Sequence, residues 1–228
     1  MIKDPPLLTI RRDFPRPAPA DIAALANVPT GYVIDAMGGR GALDYRIKPL
    51  APATSVMVGV AITCHCGPAD NLGLFAAMAT AQPGDILVAA TDAFTATSVT
   101  GDLLLGMAKN RGVTGLVTDG LVRDLAGVLG VGLPVYCAGI TPNSPVRNGP
   151  GTVGLPVVLS GVAIDSGDIV IGDNDGVVII PRGNLGTVLK RLSDVRAAEA
   201  ALEAKVKAGL QVPDFIKTIL ESDRVIEI

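Results

Sequence analysis

The sequence predicts a single α/β domain with a parallel β-α-β-α-β core and a C-terminal helical arm. Three observations predict it. Between residues 85 and 138, short apolar runs alternate with segments of helical periodicity, the pattern of parallel strands joined by right-handed crossover helices. After residue 139 that pattern gives way to brief apolar runs separated by the turn residues SGD and GDNDG. The last fifth of the chain then reads as helix, over residues 184–208 and 214–222.

Composition limits the function classes. The chain has 228 residues, of which 49% are hydrophobic and only 3% aromatic, so the core must be built from Val, Leu, Ile and Ala. A net charge of −3 with no Lys/Arg cluster argues against nucleic-acid binding. The most apolar window, residues 55–63, is far shorter than the ~20 residues of a spanning helix, so no membrane partner is expected. The first residues, MIKDPPLLTIRRDFPRP, carry charges and prolines and no apolar signal core. Three Cys, an odd number, fit a reducing compartment, and a cytoplasmic location is expected. A mean hydropathy of +0.47 without a membrane span points to apolar surface buried between subunits.

Along the chain, residues 1–18 form an N-terminal arm, expected to lie on a neighbouring subunit. Residues 19–182 form the α/β domain and residues 183–228 a helical extension. Residues 19–28 read as a short helix, and residues 31–37 as a second, with Thr30 as its cap and Gly38-Gly39 as its stop. Strands follow at 46–50 and 55–64. Asp70 or Asn71 occupies the N-cap position of a helix carrying Leu72, Phe75, Ala76 and Ala79 at helical spacing. The central series comprises a strand at 85–90, a helix at 101–110, a strand at 115–118, a helix at 121–129 and a strand at 134–138. Residues 139–156 read as a loop, a lid or interface segment. Runs at 157–159, 168–171 and 177–180 read as an antiparallel or mixed sheet. A long helix at 184–208 stops at Gly209.

The chemistry concentrates in Gly101-Asp102-Leu103-Leu104 and Asp119-Gly120-Leu121-Val122-Arg123-Asp124. Both fall where a helix is expected to start after a parallel strand. Helix starts in such a series share the carboxyl edge of the sheet, where ligand crevices form. Asp102, Arg123 and Asp124 can therefore converge. Two carboxylates suit a hard cation such as Mg²⁺, which takes oxygen ligands and keeps several waters. A guanidinium grips a carboxylate or enolate oxygen, and the backbone N–H groups of Gly101 to Leu104 favour an anion. The set describes a site for a small 2-oxo acid. Taken singly, the same residues read as a first-turn acid on the helix dipole and a surface ion pair.

Other residues invite metal or nucleotide readings. Cys64-His65-Cys66 ends a strand, with both Cys on one face and His65 on the other, and no second Cys pair completes a zinc site. Asp173-Asn174-Asp175-Gly176 lacks the spacing of a calcium loop and reads as a hairpin turn. Gly38-Gly39-Arg40-Gly41 lacks the Lys-Ser/Thr of a phosphate loop, though Arg40 is a candidate for the anion site.

Asp102, 20 intervening residues and then Arg123-Asp124 resembles the signature of the RraA-like class II aldolases, the 4-hydroxy-4-methyl-2-oxoglutarate type. GPADN (67–71), QPGD, TGDLL, VTDGLVRD and GDNDGVVIIP extend the resemblance over roughly residues 20–210. The resemblance implies a layered β/β/α fold of the swivelling type, assembled as a trimer or hexamer with sites between subunits. It implies Mg²⁺ or Mn²⁺ held by Asp124, with Asp102 binding through water and acting with Arg123 and Glu199 as the catalytic set. Gly101, Leu103, Leu104 and Arg123 would bind substrate. Glu199 matches a glutamate that reaches a neighbouring site from the long C-terminal helix. Asp35 stands where many of these aldolases carry Glu, one carbon longer. The implied activity is retro-aldol cleavage of a 4-hydroxy-2-oxo acid to pyruvate, with oxaloacetate decarboxylation at the same site. The rival readings are a non-catalytic regulator that binds a ribonuclease through this fold, and a different lyase on the same scaffold.

Overall fold

The computed structural model describes residues 4–228. The chain opens with β1 (Leu8–Ile10), α1 (Pro19–Ala23), α2 (Thr30–Ala36) and β2 (Lys48–Pro49). The core series is β3 (Met57–His65), α3 (Leu72–Thr80), β4 (Asp85–Ala90), β5 (Ser98–Thr100), α4 (Asp102–Asn110), β6 (Gly115–Thr118), β7 (Leu121–Val122), α5 (Leu125–Val131) and β8 (Val135–Cys137). Then come β9 (Gly139–Ile140), β10 (Gly151–Val153), β11 (Val157–Leu159), β12 (Val162–Ile164), β13 (Ile169–Gly172) and β14 (Val177–Ile180). The chain closes with α6 (Leu185–Lys207) and α7 (Asp214–Leu220).

The main sheet runs β1-β10-β3-β4-β6-β8-β2, with the hairpin β13–β14 attached to β3. Its centre, β3-β4-β6-β8, is parallel. Every residue of β4 and β6 is buried, so these strands read as unbroken apolar runs rather than alternating ones. Alternate side chains serve two layers. Ile62, Leu87, Ala89 and Leu116 meet Leu74, Ala77, Leu105 and Ala108 of α3 and α4. Ala61, Ile86, Val88 and Val117 face Val157, Leu159 and Ile164 of the β11–β12 hairpin. A third cluster packs α2 and the first half of α6 on β13–β14 through Val33, Ile171, Ile180, Leu185, Val188 and Leu192. The result is the layered α/β domain that the sequence predicts, with a parallel-rich sheet and a C-terminal helix.

Three local expectations are corrected. Residues 121–129 are not one helix. Leu121–Val122 is a strand, paired in parallel with both β5 and β9 in a separate three-stranded sheet, and the helix begins only at Leu125. Residues 139–156 are not all loop, because β9 completes that small sheet and β10 joins the main one. Residues 4–18 also make contacts within their own chain. β1 pairs in parallel with β10, and Arg16 holds the carboxylate of Asp85, which is 1% exposed, at 2.6 and 3.0 Å. Thr30 does not cap α2 with its own side chain. Asp173, from the β13–β14 turn, accepts both the Thr30 N–H and hydroxyl at 2.8 Å.

Candidate active site

The small parallel sheet β5-β7-β9 positions the candidate site. β5 runs through Thr100 into Gly101 and α4, while β7 runs through Val122 into Arg123-Asp124 and α5. The Arg123 N–H donates to the Thr100 carbonyl at 3.0 Å, which locks the two strand ends together. Asp119, buried between the sheets, accepts the N–H groups of Thr91 and Ala93 at 2.7 and 3.0 Å and so ties the end of β6 to that of β4. The expected rule, a crevice at the carboxyl edge of parallel strands, therefore holds on the small sheet rather than the main one.

Asp102, Arg123 and Asp124 line one open cavity of about 340 Å³, together with Gly101, Leu103 and Leu104. Arg123 Nε lies 3.0 Å from Asp124 Oδ2, and its Nη1 donates to the Ser144 hydroxyl, so the guanidinium is held from two sides. Asp124 is the N-cap residue of α5 and adopts a left-handed conformation, φ 57°. A short polar side chain tolerates that region better than most, at a cost of order 1 kcal/mol.

Two glycines make room for the carboxylates. A Cβ on Gly101 would lie 2.3 Å from Asp124 Oδ2. A Cβ on Gly127, in the first turns of α5, would lie 2.3 Å from Asp102 Oδ2 and 2.8 Å from its Cβ and Cγ. Each carboxylate thus rests on a bare backbone of the opposite helix start, which brings the two acids to one place.

Leu105 makes the first main-chain bond of α4, to Gly101, so the N–H groups before it have no acceptor within the helix. One of these, Leu103 N–H, donates to its neighbour's Asp102 Oδ1 at 2.7 Å, and an incoming anion would have to share it. The Leu103 side chain is 78% exposed, whereas Leu104 is buried. Among the described residues no cluster of three or more His, Cys, Asp or Glu could hold a metal. The acid pair still suits a hard cation with few protein ligands and several waters.

The remaining candidates lie elsewhere. Glu199 is on α6 and does not line this cavity. Arg40 lines a separate depression with Met37, Asn184 and Arg191, and Asp35 lines another, so neither joins Arg123 within the chain. Cys64 and Cys66 are buried with sulfurs 4.0 Å apart, and their mutual hydrogen bond with burial pushes the Cys64 thiol well up. His65 points away to Asp92 at 3.1 Å. Asn71, by contrast, lines the cavity itself; it sits at the N-cap position of α3, but Asp70 performs the capping, accepting Leu72 N–H at 2.8 Å.

Sequence reasoning missed several cavity residues: Phe75, Met107, Ser144 and Arg147. Ser144 and Arg147 come from the 141–150 segment, and no local pattern ties that segment to α4. Gly127 did leave a signal, because a glycine inside a helical run commonly marks a packing need.

Among the described residues no helix is long and apolar enough to cross a membrane. A family model described as RraA-like, Aldolase/RraA, matches residues 30–179. A relative from Halalkalibacterium halodurans, provisionally named a 4-hydroxy-4-methyl-2-oxoglutarate aldolase, is 36% identical over 191 residues, covering 82% of this chain and 90% of that one. The crystal structure of an uncharacterized protein from Pseudomonas syringae pv. tomato superposes with a TM-score of 0.77 at 24% identity, covering 87% of this chain and 93% of that one. Streptomyces coelicolor RraAS2, described as an unusual member of the RNase ES inhibitor RraA family, superposes with a TM-score of 0.74 at 26% identity, covering 83% of this chain and all of that one. With a family model spanning well over half its length and a relative at 36% identity, the chain belongs to the RraA-like family.

Proposed function

We propose that the chain is a divalent-cation-dependent lyase that cleaves a 4-hydroxy-2-oxo acid to pyruvate and decarboxylates oxaloacetate at the same site. The observation that carries the reading is the meeting of Asp102, Arg123 and Asp124 in one solvent-open cavity beside the start of α4. Glycines stand wherever a Cβ would displace either acid. Asp124 would hold the cation directly and Asp102 through water. A bound Mg²⁺ or Mn²⁺ would supply Lewis-acid polarisation of the 2-oxo group.

The chain's own residues would do the rest. The α4 start, with the N–H groups of residues 101–104, receives the substrate carboxylate. Arg123, held by Asp124 and Ser144, presents donors to the 2-oxo oxygen. Asp102 orients the water that takes the proton from the C4 hydroxyl. The C3–C4 bond breaks, a carbonyl product leaves, and its electron pair forms the pyruvate enolate, whose growing negative charge Arg123 stabilises. Return of a proton to C3 gives pyruvate. In oxaloacetate the same bond to the departing carbon breaks with loss of CO₂, giving the same enolate.

The reading includes a homo-oligomer with sites between subunits. Glu199 lies outside the cavity of its own chain. Beyond it, α6 and α7 expose Leu202, Val206, Phe215, Ile219 and Leu220, an apolar surface that a second copy would cover. Glu199 would then complete a neighbour's site. The likeness to RraAS2 favours a second reading, a regulator that binds a ribonuclease.

Pyruvate release from oxaloacetate and from 4-hydroxy-2-oxo acids, with Mg²⁺ and with a chelator, separates the two. Chelator-sensitive turnover is expected, and Arg123→Ala should lower kcat at least ~10²-fold. Absence of turnover across that panel, or wild-type kcat in Arg123→Ala, would remove the lyase reading.

A further inference from the structure

Two contacts of different kinds orient Arg123. Asp124, its neighbour in the chain, holds Nε at 3.0 Å. Ser144, 21 residues away, holds Nη1. One contact fixes a point on a planar guanidinium and lets it pivot, whereas two fix its plane. The direction in which Arg123 presents its donors therefore depends on what keeps Ser144 in place.

Ser144 belongs to a segment without regular structure, and two anchors bracket it. On one side the Ser98 N–H and hydroxyl both donate to the Asn143 carbonyl, at 2.9 and 2.8 Å. On the other the Asn71 N–H donates to the Val146 carbonyl at 3.0 Å and the Val146 N–H to the Ala69 carbonyl at 2.8 Å, a parallel bridge one residue long. Such a bridge has no ladder to make it persist. Asp70 supplies the reinforcement. Its Oδ2 accepts the N–H groups of Asn148 and Gly149 at 2.6 and 2.9 Å, which fastens the chain beyond Val146 to the same place. Its Oδ1 accepts the Leu72 N–H at 2.8 Å and ties that place to the start of α3.

The Asp70 side chain is chemically matched to this task. The residue is 6% exposed and forms no ion pair among the described residues. A buried carboxylate without a cation is unfavourable, and here three N–H donors shared over two oxygens offset that. An amide would have to turn its NH₂ group toward one set of donors. Only a side chain with two acceptor oxygens serves the helix start and the segment together.

We infer that Asp70 is a positioning residue: by clamping residues 146–149 it keeps Ser144 against Arg123 and so sets the direction of the guanidinium. Its consequence for turnover rests on the lyase reading, while its hold on Arg123 does not.

Asp70→Ala would also release the start of α3, so the variant that tests the clamp is Asp70→Ser. A serine hydroxyl still reaches the N–H two residues on, as in Ser turns, but offers no second oxygen to Asn148 and Gly149. Two readouts are taken on the full-length protein. The first is oxaloacetate turnover with MgCl₂. Asp70→Ser and Ser144→Ala should each lower kcat ~10-fold, short of the ~10²-fold that a displacement of ~1 Å costs. The double variant should lose no more than the worse single one. Arg16→Ala, which weakens the fold at the other end of β4, should keep wild-type kcat below its melting temperature. The second readout is the rate at which phenylglyoxal modifies Arg123, followed by peptide mass spectrometry against the exposed Arg46 in the same sample. Both Asp70→Ser and Ser144→Ala should speed labelling of Arg123 ~2–10-fold, the equivalent of one lost hydrogen bond, and leave Arg46 unchanged. Wild-type labelling of Arg123 in Asp70→Ser, losses in kcat that add in full, or an equal fall of kcat in Arg16→Ala overturns the role of Asp70. Wild-type protein without turnover removes the lyase reading instead, and the labelling rates alone then decide for or against Asp70.

Discussion

Gly127→Ala isolates the seat of Asp102. Gly127 lies within α5, where alanine ordinarily stabilises a helix by up to ~1 kcal/mol. Here the new methyl carbon would fall 2.8 Å from Asp102 Cβ and Cγ. Comfortable carbon contacts lie at about 3.5–4.0 Å, so the root of the Asp102 side chain must retreat by ~1 Å. Overpacking of this kind costs ~1–3 kcal/mol. Set against the helix gain, the net loss is about 0–2 kcal/mol, a fall in Tm of no more than ~8 °C for a chain this long. Catalysis should suffer more, because a displacement of ~1 Å at a reacting group costs ~10²-fold. The assay is pyruvate release coupled to lactate dehydrogenase, with Asp102→Ala and the double variant completing a cycle. Once Asp102 is gone, Gly127→Ala should cost almost nothing further. Gly130→Ala, on the same helix with open space around it, should keep wild-type turnover and gain slightly in stability. Wild-type kcat in Gly127→Ala, or a loss that adds in full to that of Asp102→Ala, would refute the argument.

Other perturbations follow from the same geometry. Asp124→Gly should abolish turnover while raising thermal stability, because it relieves a left-handed residue of ~1 kcal/mol strain and gives up only a half-exposed ion pair; calorimetry and the coupled assay together read this out. Arg16→Ala strands the buried carboxylate of Asp85 and should cost ~3 kcal/mol in urea unfolding, with Asp85→Asn/Arg16→Ala recovering part of it. Asp165 is pushed up by burial, but Arg11 and Arg182 outweigh this and hold its carboxyl below the ordinary 3.8. Its folded value is depressed, so its contribution is complete above pH 3.8 and is lost as pH falls through the lower folded value. Asp165→Asn should therefore flatten the acid limb of the stability curve in that range and leave the region above pH 5 parallel to wild type.

Much of the scaffold was legible because long buried strands announce themselves. β4 and β6 are continuous apolar runs bounded by turns, and α4 and α6 carry start and stop residues. Among the strands that failed to show are β5, β7 and β9, each of two or three residues. That length holds no period. What makes them strands is pairing between partners far apart in the chain, such as Leu121 with Gly139. The same distinction runs through the site. Asp102, Arg123 and Asp124 could be read because they fall near helix starts expected after the long strands β4 and β6. Ser144 and Arg147 could not, because their segment is held at the cavity by bonds to residues far back in the chain, Ala69, Asp70 and Ser98. The left-handed turn at Asp124 was hidden for a related reason: aspartate there looks like an ordinary helix cap until the strand before it is seen.

The parallel pairing of Leu8–Ile10 with Gly151–Val153 has a consequence for how the molecule comes together. Closing a loop of that span is slow, and nothing repays it until β10 has itself joined β3. Residues near the start of the chain are therefore among the last to settle, waiting upon a partner made much later on the ribosome. Until then the rim of β10 has backbone groups to spare, and a stray strand from another nascent chain could occupy the place first.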